Sequence, residues 1–118
     1  MVKYTYLFSK TMDPETEITV LDASKKIAEG EVCVLDVRAP EERAQGYIEG
    51  SDNINFYDAD FRNKIEKLDK SKTYIVHCAG GGRSGKTVKL MKELGFKSAY
   101  NLIGGFSEWV RKGMKVGK

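Results

Sequence analysis

The stretch Tyr74-Ile75-Val76-His77-Cys78-Ala79-Gly80-Gly81-Gly82-Arg83-Ser84-Gly85-Lys86-Thr87 decides the fold. It begins as a short run of β-forming residues and places a thiol just past the end of that run. It then breaks into glycines and resumes with Val88, Met91 and Leu94 at helical spacing. Gly95 followed by Phe96 fits a Schellman stop for that helix. The unit is strand, glycine-rich loop, helix.

The same rhythm extends in both directions. Upstream, Val32 to Asp36 is an apolar run suited to a strand covered on both faces. Before it, Ile18-Thr19-Val20 reads as a strand, and Asp22 is placed to cap a helix carrying Ile27 and Ala28 inward and ending at Gly30. Pro40 with Glu41 and Glu42 opens a short helix, acids at its positive end, that closes at Gly46. Phe61, Ile65 and Leu68 mark another helix. Downstream, Ser98-Ala99-Tyr100 is a last strand, then Gly104-Gly105 and a helix with Phe106, Trp109 and Val110 on one face. Tyr4, Tyr6 and Phe8 alternate with Thr5 and Leu7, as an extra edge strand would, before a turn at Asp13-Pro14. Strands alternating with helices predict an α/β domain, a parallel sheet with helices on both faces. Ligands bind beyond the carboxyl ends of such strands, where Cys78 falls.

Composition narrows the function classes. A chain of 118 residues holds one domain and one real core. The longest aliphatic-or-Cys run, Val32-Cys33-Val34-Leu35, cannot span a bilayer. The start, MVKYTYLFSKT, lacks the features of a secretory signal, so the expectation is cytoplasmic; a leader trimmed earlier would make it periplasmic. Cys33 and Cys78 are too few for a disulfide scaffold, and with the single His77 they fall short of a zinc set. A net charge of +3 is too small to argue nucleic-acid binding. Its distribution says more: nine Lys/Arg and two acids lie from His77 onward, against eleven basic and fifteen acidic residues before it. The basic end holds Cys78 and suits a small anionic substrate.

The loop itself supplies the chemistry. Glycines let successive N–H groups turn toward one point, and a helix beginning near Ser84 aims its positive end at the same point. A thiol there meets N–H donors and a nearby Arg83 guanidinium, both of which favour the thiolate. Nucleophile and anion pocket are then one structure, with Cys78 reactive and Ala79, Gly80, Gly81, Gly82, Arg83 and Ser84 as its cradle. Two other readings compete. A His-Cys pair with glycines and Arg resembles the protein-tyrosine phosphatase signature, but that signature sets five residues between Cys and Arg, and here there are four. Gly80-x-x-x-x-Gly85-Lys86-Thr87 matches a P-loop letter for letter, yet the 31 residues after Thr87 leave little room for the rest of a nucleotide fold.

The wider sequence resembles the rhodanese family of single-domain sulfurtransferases. Cys78, Gly81, Arg83 and Ser84 match its Cys-x-x-Gly-x-Arg-Ser loop in length and order. Asp36-Val37-Arg38, Glu42, Gly46-Tyr47-Ile48 and Gly50 resemble its upstream block, with Tyr47 in place of the usual His and Asn55 where Pro is common. Asn101-Leu102-Ile103-Gly104-Gly105-Phe106 with Trp109 resembles its closing motif. The likeness runs from about Ile18 to Gly113, leaving residues 1–16 as an N-terminal extension to a domain over 17–118.

The resemblance implies a rhodanese-like α/β fold, a five-stranded, mostly parallel sheet flanked by helices. It implies a thiosulfate sulfurtransferase in which Cys78 carries a persulfide, with no metal or organic cofactor. The implied partners are a small anionic sulfane donor and a thiol or protein acceptor, with no nucleic acid or membrane, and a monomer is the default. A binding or sulfur-sensing module with little turnover, and a cysteine-dependent phosphatase, are the alternatives. Asp36, Arg38 and Glu42 read as an ion-pair and cap network bracing the loop from a neighbouring strand rather than as substrate ligands. His77 should point away from the thiol by strand alternation. Cys33, mid-strand, reads as core, and Trp109 as packing. Lys86, Lys89 and Lys92 divide between solvated charge and an electropositive approach.

Overall fold

The computed structural model describes residues 15–118; the Tyr4–Phe8 alternation lies outside the described residues. The chain runs β1 (Glu17–Ile18), α1 (Val20–Glu29), β2 (Cys33–Asp36), α2 (Pro40–Arg43), β3 (Asp52–Asn53), α3 (Phe61–Glu66), β4 (Thr73–His77), α4 (Gly82–Glu93), β5 (Ser98–Leu102) and α5 (Gly105–Arg111). The sheet order is β1-β5-β4-β2-β3, and every pairing is parallel. Outside it, Tyr47 and Gly117 form an antiparallel bridge that ties the chain end back to the body.

Strand alternation sorts the core into two layers. Leu35, Tyr74, Val76 and Ala99 face α3 and α4 through Phe61, Ile65, Val88 and Met91. Val34, Ile75, Leu102 and Ile18 face α1 and α5 through Val20, Ala23 and Trp109. Helices therefore cover both faces, as expected of parallel strands buried on two sides. The Schellman stop is present: the amides of Gly95 and Phe96 donate to the carbonyls of Lys92 and Met91 at 3.1 and 3.0 Å.

Several local expectations need correction. The first strand ends at Ile18, because Thr19 rather than Asp22 caps α1: its hydroxyl accepts from the Asp22 amide at 3.2 Å. Ala28 and Val110 lie on exposed helix flanks, since α1 and α5 each present only a narrow stripe to the sheet. Cys33 starts β2 rather than sitting in its middle and is half-buried. The glycine-loop helix starts at Gly82, two residues before Ser84. Among the described residues, no helix is long and apolar enough to cross a membrane.

One topological feature positions the site. From β2 the chain moves outward to β3, whereas from its neighbour β4 it moves to β5 on the other side. The connections leaving β2 and β4 part at the carboxyl edge, which opens a crevice there. Residues 37–42 enter it from one strand and residues 78–84 from the other.

Candidate active site

Cys78 follows the last residue of β4, and its neighbours explain its geometry. The side chain of Cys78 leans on the α3/α4 layer of the core, and the residue is 2% exposed. Its sulfur nevertheless meets polar groups: the Gly81 amide donates to Sγ at 3.1 Å and the Ser84 hydroxyl lies 3.3 Å away. Gly81 takes φ +118, a left-handed turn that sends the chain after it into α4. α4 then starts without a capping side chain, so the N–H groups of its first turn are left for the sulfur or an anion. Burial alone would push the thiol pKa up. The Ser84 hydroxyl, then the amides of Ser84, Gly81 and Gly80, outweigh it and hold the thiol below its ordinary value.

The loop is held from behind by α5. The amides of Phe106 and Ser107 donate to the carbonyls of Cys78 and Ala79 at 2.8 and 3.1 Å. These carbonyls are thereby kept turned out of the cradle while the amides face in. Above the cradle, Gly80 and Gly82 are exposed, and a Cβ on either would meet nothing within 4 Å. The mouth is open.

The Arg83 guanidinium forks onto Glu42, with Nη1 and Nη2 at 2.8 and 2.9 Å from the two carboxylate oxygens. The Glu42 carboxyl is accordingly held down to about 2, chiefly by that pair. Glu42 also accepts the Ala39 amide at 3.0 Å, so a side chain of α2 ties the loop to the neighbouring connection. Lys86, Lys89 and Lys92 are exposed on α4.

Asp36 and Arg38 form a second, buried group. Arg38 forks onto Asp36 at 3.0 and 2.8 Å, donates to the Gly46 carbonyl at 2.8 Å, and lies 4.1 Å over the Phe106 ring. Burial raises the Asp36 carboxyl, but the Arg38 hydrogen bonds more than reverse this and hold it low. The two residues connect to the cradle through Phe106, through His77 and through Glu42, whose carbonyl accepts from Arg38 Nη1 at 3.4 Å. His77 faces this group, opposite to the thiol. Its Nδ1 lies 3.2 Å from the Cys78 carbonyl, its Nε2 is 4.0 Å from Asp36, and burial keeps it neutral to lower pH. A cleft of about 340 Å³ lined by Arg38, Glu41, Glu42, Gln45 and Phe106 adjoins the loop through Glu42 and Phe106.

The sequence profile of the Rhodanese-like domain matches residues 19–112. The chain belongs to the rhodanese-like domain family. "Putative sulfurtransferase YtwF" of Bacillus subtilis (strain 168) is 38% identical over 94 residues, covering 79% of this chain and 88% of that protein. Thiosulfate sulfurtransferase GlpE of Coxiella burnetii is 30% identical over 93 residues, 79% of this chain and 85% of the relative. Among solved structures, a rhodanese-related protein from Thermoplasma volcanium superposes with a TM-score of 0.79 at 33% identity, covering 86% of this chain and 97% of the other. A protein from Rhodopseudomonas palustris described as a possible tyrosine phosphatase superposes with a TM-score of 0.72 at 26% identity, covering 86% and 84%.

Two residues of this rhodanese-like site carry more than the sequence reading gave them. Asn101, in β5, accepts from the Ser84 hydroxyl at 2.6 Å and donates to the Gly81 carbonyl at 3.2 Å. An Asn inside a strand next to apolar neighbours is disfavoured, and that was the available signal. Gly105 lies against the backbone of Cys78 and Ala79, and its part in the closing motif gave no hint of that contact.

Proposed function

We propose that the chain is a sulfurtransferase that carries sulfane sulfur on Cys78. The observation that carries this reading is the sulfur's surroundings: an amide, a hydroxyl and an uncapped helix start, all converging on one buried atom. Such groups stabilise a charged sulfur and then a charged outer sulfur one bond further into the cradle. The Cys78 thiolate attacks the outer sulfur of a donor such as thiosulfate. The Sγ–S bond forms, the donor's S–S bond breaks, and sulfite leaves with the electron pair. A nucleophilic acceptor, cyanide in an assay or a thiol or protein partner otherwise, then takes the outer sulfur and regenerates the thiolate. The open mouth over Gly80 and Gly82 and the adjoining cleft suit a bulky acceptor as well as a small one.

The likeness to the possible tyrosine phosphatase favours a second reading. Against it, a phosphoryl group is best held by a free guanidinium fork, and the Arg83 fork is already committed to Glu42. The test is intact-mass spectrometry after exposure to thiosulfate. A gain of about 32 Da, removed by cyanide and absent in a folded Cys78→Ser variant, is expected. Loading that persists in Cys78→Ser refutes the mechanism, aryl phosphate hydrolysis without loading supports the phosphatase, and loading without release to acceptors makes the domain a sensing module.

A further inference from the structure

Ser84 has one hydroxyl proton and stands between two acceptors. Its Oγ is 2.6 Å from Asn101 Oδ1 and 3.3 Å from Cys78 Sγ. One proton cannot serve both. The Asn101 amide is oriented by a separate contact: its Nδ2 donates to the Gly81 carbonyl at 3.2 Å, which leaves Oδ1 toward Ser84. Ser84 is fully buried and Cys78 nearly so, so bulk water does not take over either bond. The sequence also makes room for the arrangement, because a Cβ at Gly85 would stand 3.3 Å from Asn101 Nδ2.

We infer that Asn101 is a positioning residue that holds the Ser84 proton while Cys78 is uncharged and yields it to the sulfur when the sulfur carries charge. In the thiol, S–H donates to Ser84 Oγ and the Ser84 O–H donates to Asn101 Oδ1. When the thiol proton leaves to solvent, the Ser84 O–H turns to the thiolate. No covalent bond of Ser84 or Asn101 changes. A second part rests on the sulfur-transfer reading. As the Sγ–S bond forms, the donor's S–S electron pair leaves with sulfite, the negative charge passes from Sγ to the outer sulfur of the persulfide, and the hydroxyl returns to Asn101. As an acceptor bonds the outer sulfur, the Sγ–S bond breaks, its electron pair returns to Sγ, and the hydroxyl turns back to it. Asn101 thus parks a donor for a charge that appears and disappears.

A double-mutant cycle on the Cys78 pKa tests this, read from the pH dependence of iodoacetamide labelling of the Cys78 peptide. The proteins are the unmodified chain, Ser84→Ala, Asn101→Leu and the double variant, each checked for folding by circular dichroism. Ser84→Ala should raise the thiol pKa by about one pH unit, because the thiolate loses a donor. Asn101→Leu should shift it lower with Ser84 present than in the Ser84→Ala background, by about half a unit or more, because the hydroxyl is freed for sulfur. Equal shifts in both backgrounds would show that Asn101 acts only by holding Gly81, and would overturn the inference. Should Asn101→Leu not fold, Asn101→Asp replaces it and should raise the pKa more with the hydroxyl than without it; equal rises overturn the inference too. Sulfur loading measured on the same proteins separates the two readings. A coupled cycle without loading refutes sulfur transfer alone, and loading without coupling refutes the role of Asn101 alone.

Discussion

Replacing Gly105 by Ala isolates what holds the cradle open. Gly105 sits at φ +61, and a Cβ there would stand 2.6 Å from the Ala79 carbonyl oxygen and 2.7 Å from that of Cys78. Both obstacles are backbone, so no side chain can swing aside. The left-handed conformation alone costs an L-residue about 1–2 kcal/mol. Relief of the collision needs the loop or the start of α5 to withdraw by several tenths of an ångström. That strains the Phe106–Cys78 and Ser107–Ala79 backbone bonds, now 2.8 and 3.1 Å, whose loss costs about 1 kcal/mol each. The sum is about 3–4 kcal/mol. Gly30→Ala is the control, because Gly30 has φ +75 and nothing within 4 Å of its Cβ position; it should lose only the conformational part, about 1–2 kcal/mol. Urea unfolding measures both. Sulfur loading of Gly105→Ala, assayed where the protein is fully folded, should slow at least about tenfold, since a displaced loop misplaces the donors. Equal destabilisation of the two variants, or unchanged loading in Gly105→Ala, would refute the argument that α5 braces the cradle.

Glu42→Gln should make stability less sensitive to acid. The Glu42 carboxyl is held near 2 in the folded chain against an ordinary 4.5, so its contribution is fully present above about 4.5 and disappears as pH falls toward 2. The side chain is 36% exposed, and screening reduces the contribution to about 1 kcal/mol at neutral pH. Urea melts of the two proteins should differ by that amount at pH 7 and converge near pH 2; a gap that stays constant across the range contradicts the assignment. Arg38→Lys should cost about 2 kcal/mol, because an ammonium cannot reproduce the fork onto Asp36 together with the Gly46 bond, while Arg43 at 3.3 Å and the residue-38 amide at 2.9 Å still pair the carboxylate. Thermal or urea unfolding within 1 kcal/mol of the unmodified chain would show that the pair contributes little.

The sequence displayed the parts of this fold that depend on periodicity and on backbone chemistry. Val34 to Asp36, Ile75 to His77 and the glycines after Cys78 follow from local preference, and their order predicts a parallel sheet without tertiary information. Short elements were harder to read. Thr19 and Asp22 are equally good caps in sequence, and the choice falls to Thr19 because β1 ends at Ile18, where the sheet edge ends. Ala28 and Val110 look like inward residues until the narrow contact of their helices with the sheet is known. At the site, the sequence reading named Glu42 as an ion-pair brace of the loop and Arg83 as a cation near the thiol, but no local pattern joins the two, 41 residues apart in sequence. The partnership of Asn101 with Ser84 depends on β5 lying beside β4, a pairing that no local pattern specifies.

That pairing and the alternation of β4 also explain why the charges and the sulfur stay apart. Asp36 is paired in register with His77, so both face α5 with Arg38, while Cys78, one residue on, faces α4. With Arg83 turned onto Glu42, the sulfur is left mainly to amides and one hydroxyl. A free guanidinium beside Sγ would depress the thiol further, and a thiolate with a much lower pKa is a weaker nucleophile. Oriented dipoles give a more modest stabilisation, and they need no counterion to move as charge forms on Sγ, leaves it and returns. The arrangement therefore suits a sulfur that must attack in one half-reaction and serve as the leaving group in the next, a demand that a single fixed cation beside it would meet less evenly.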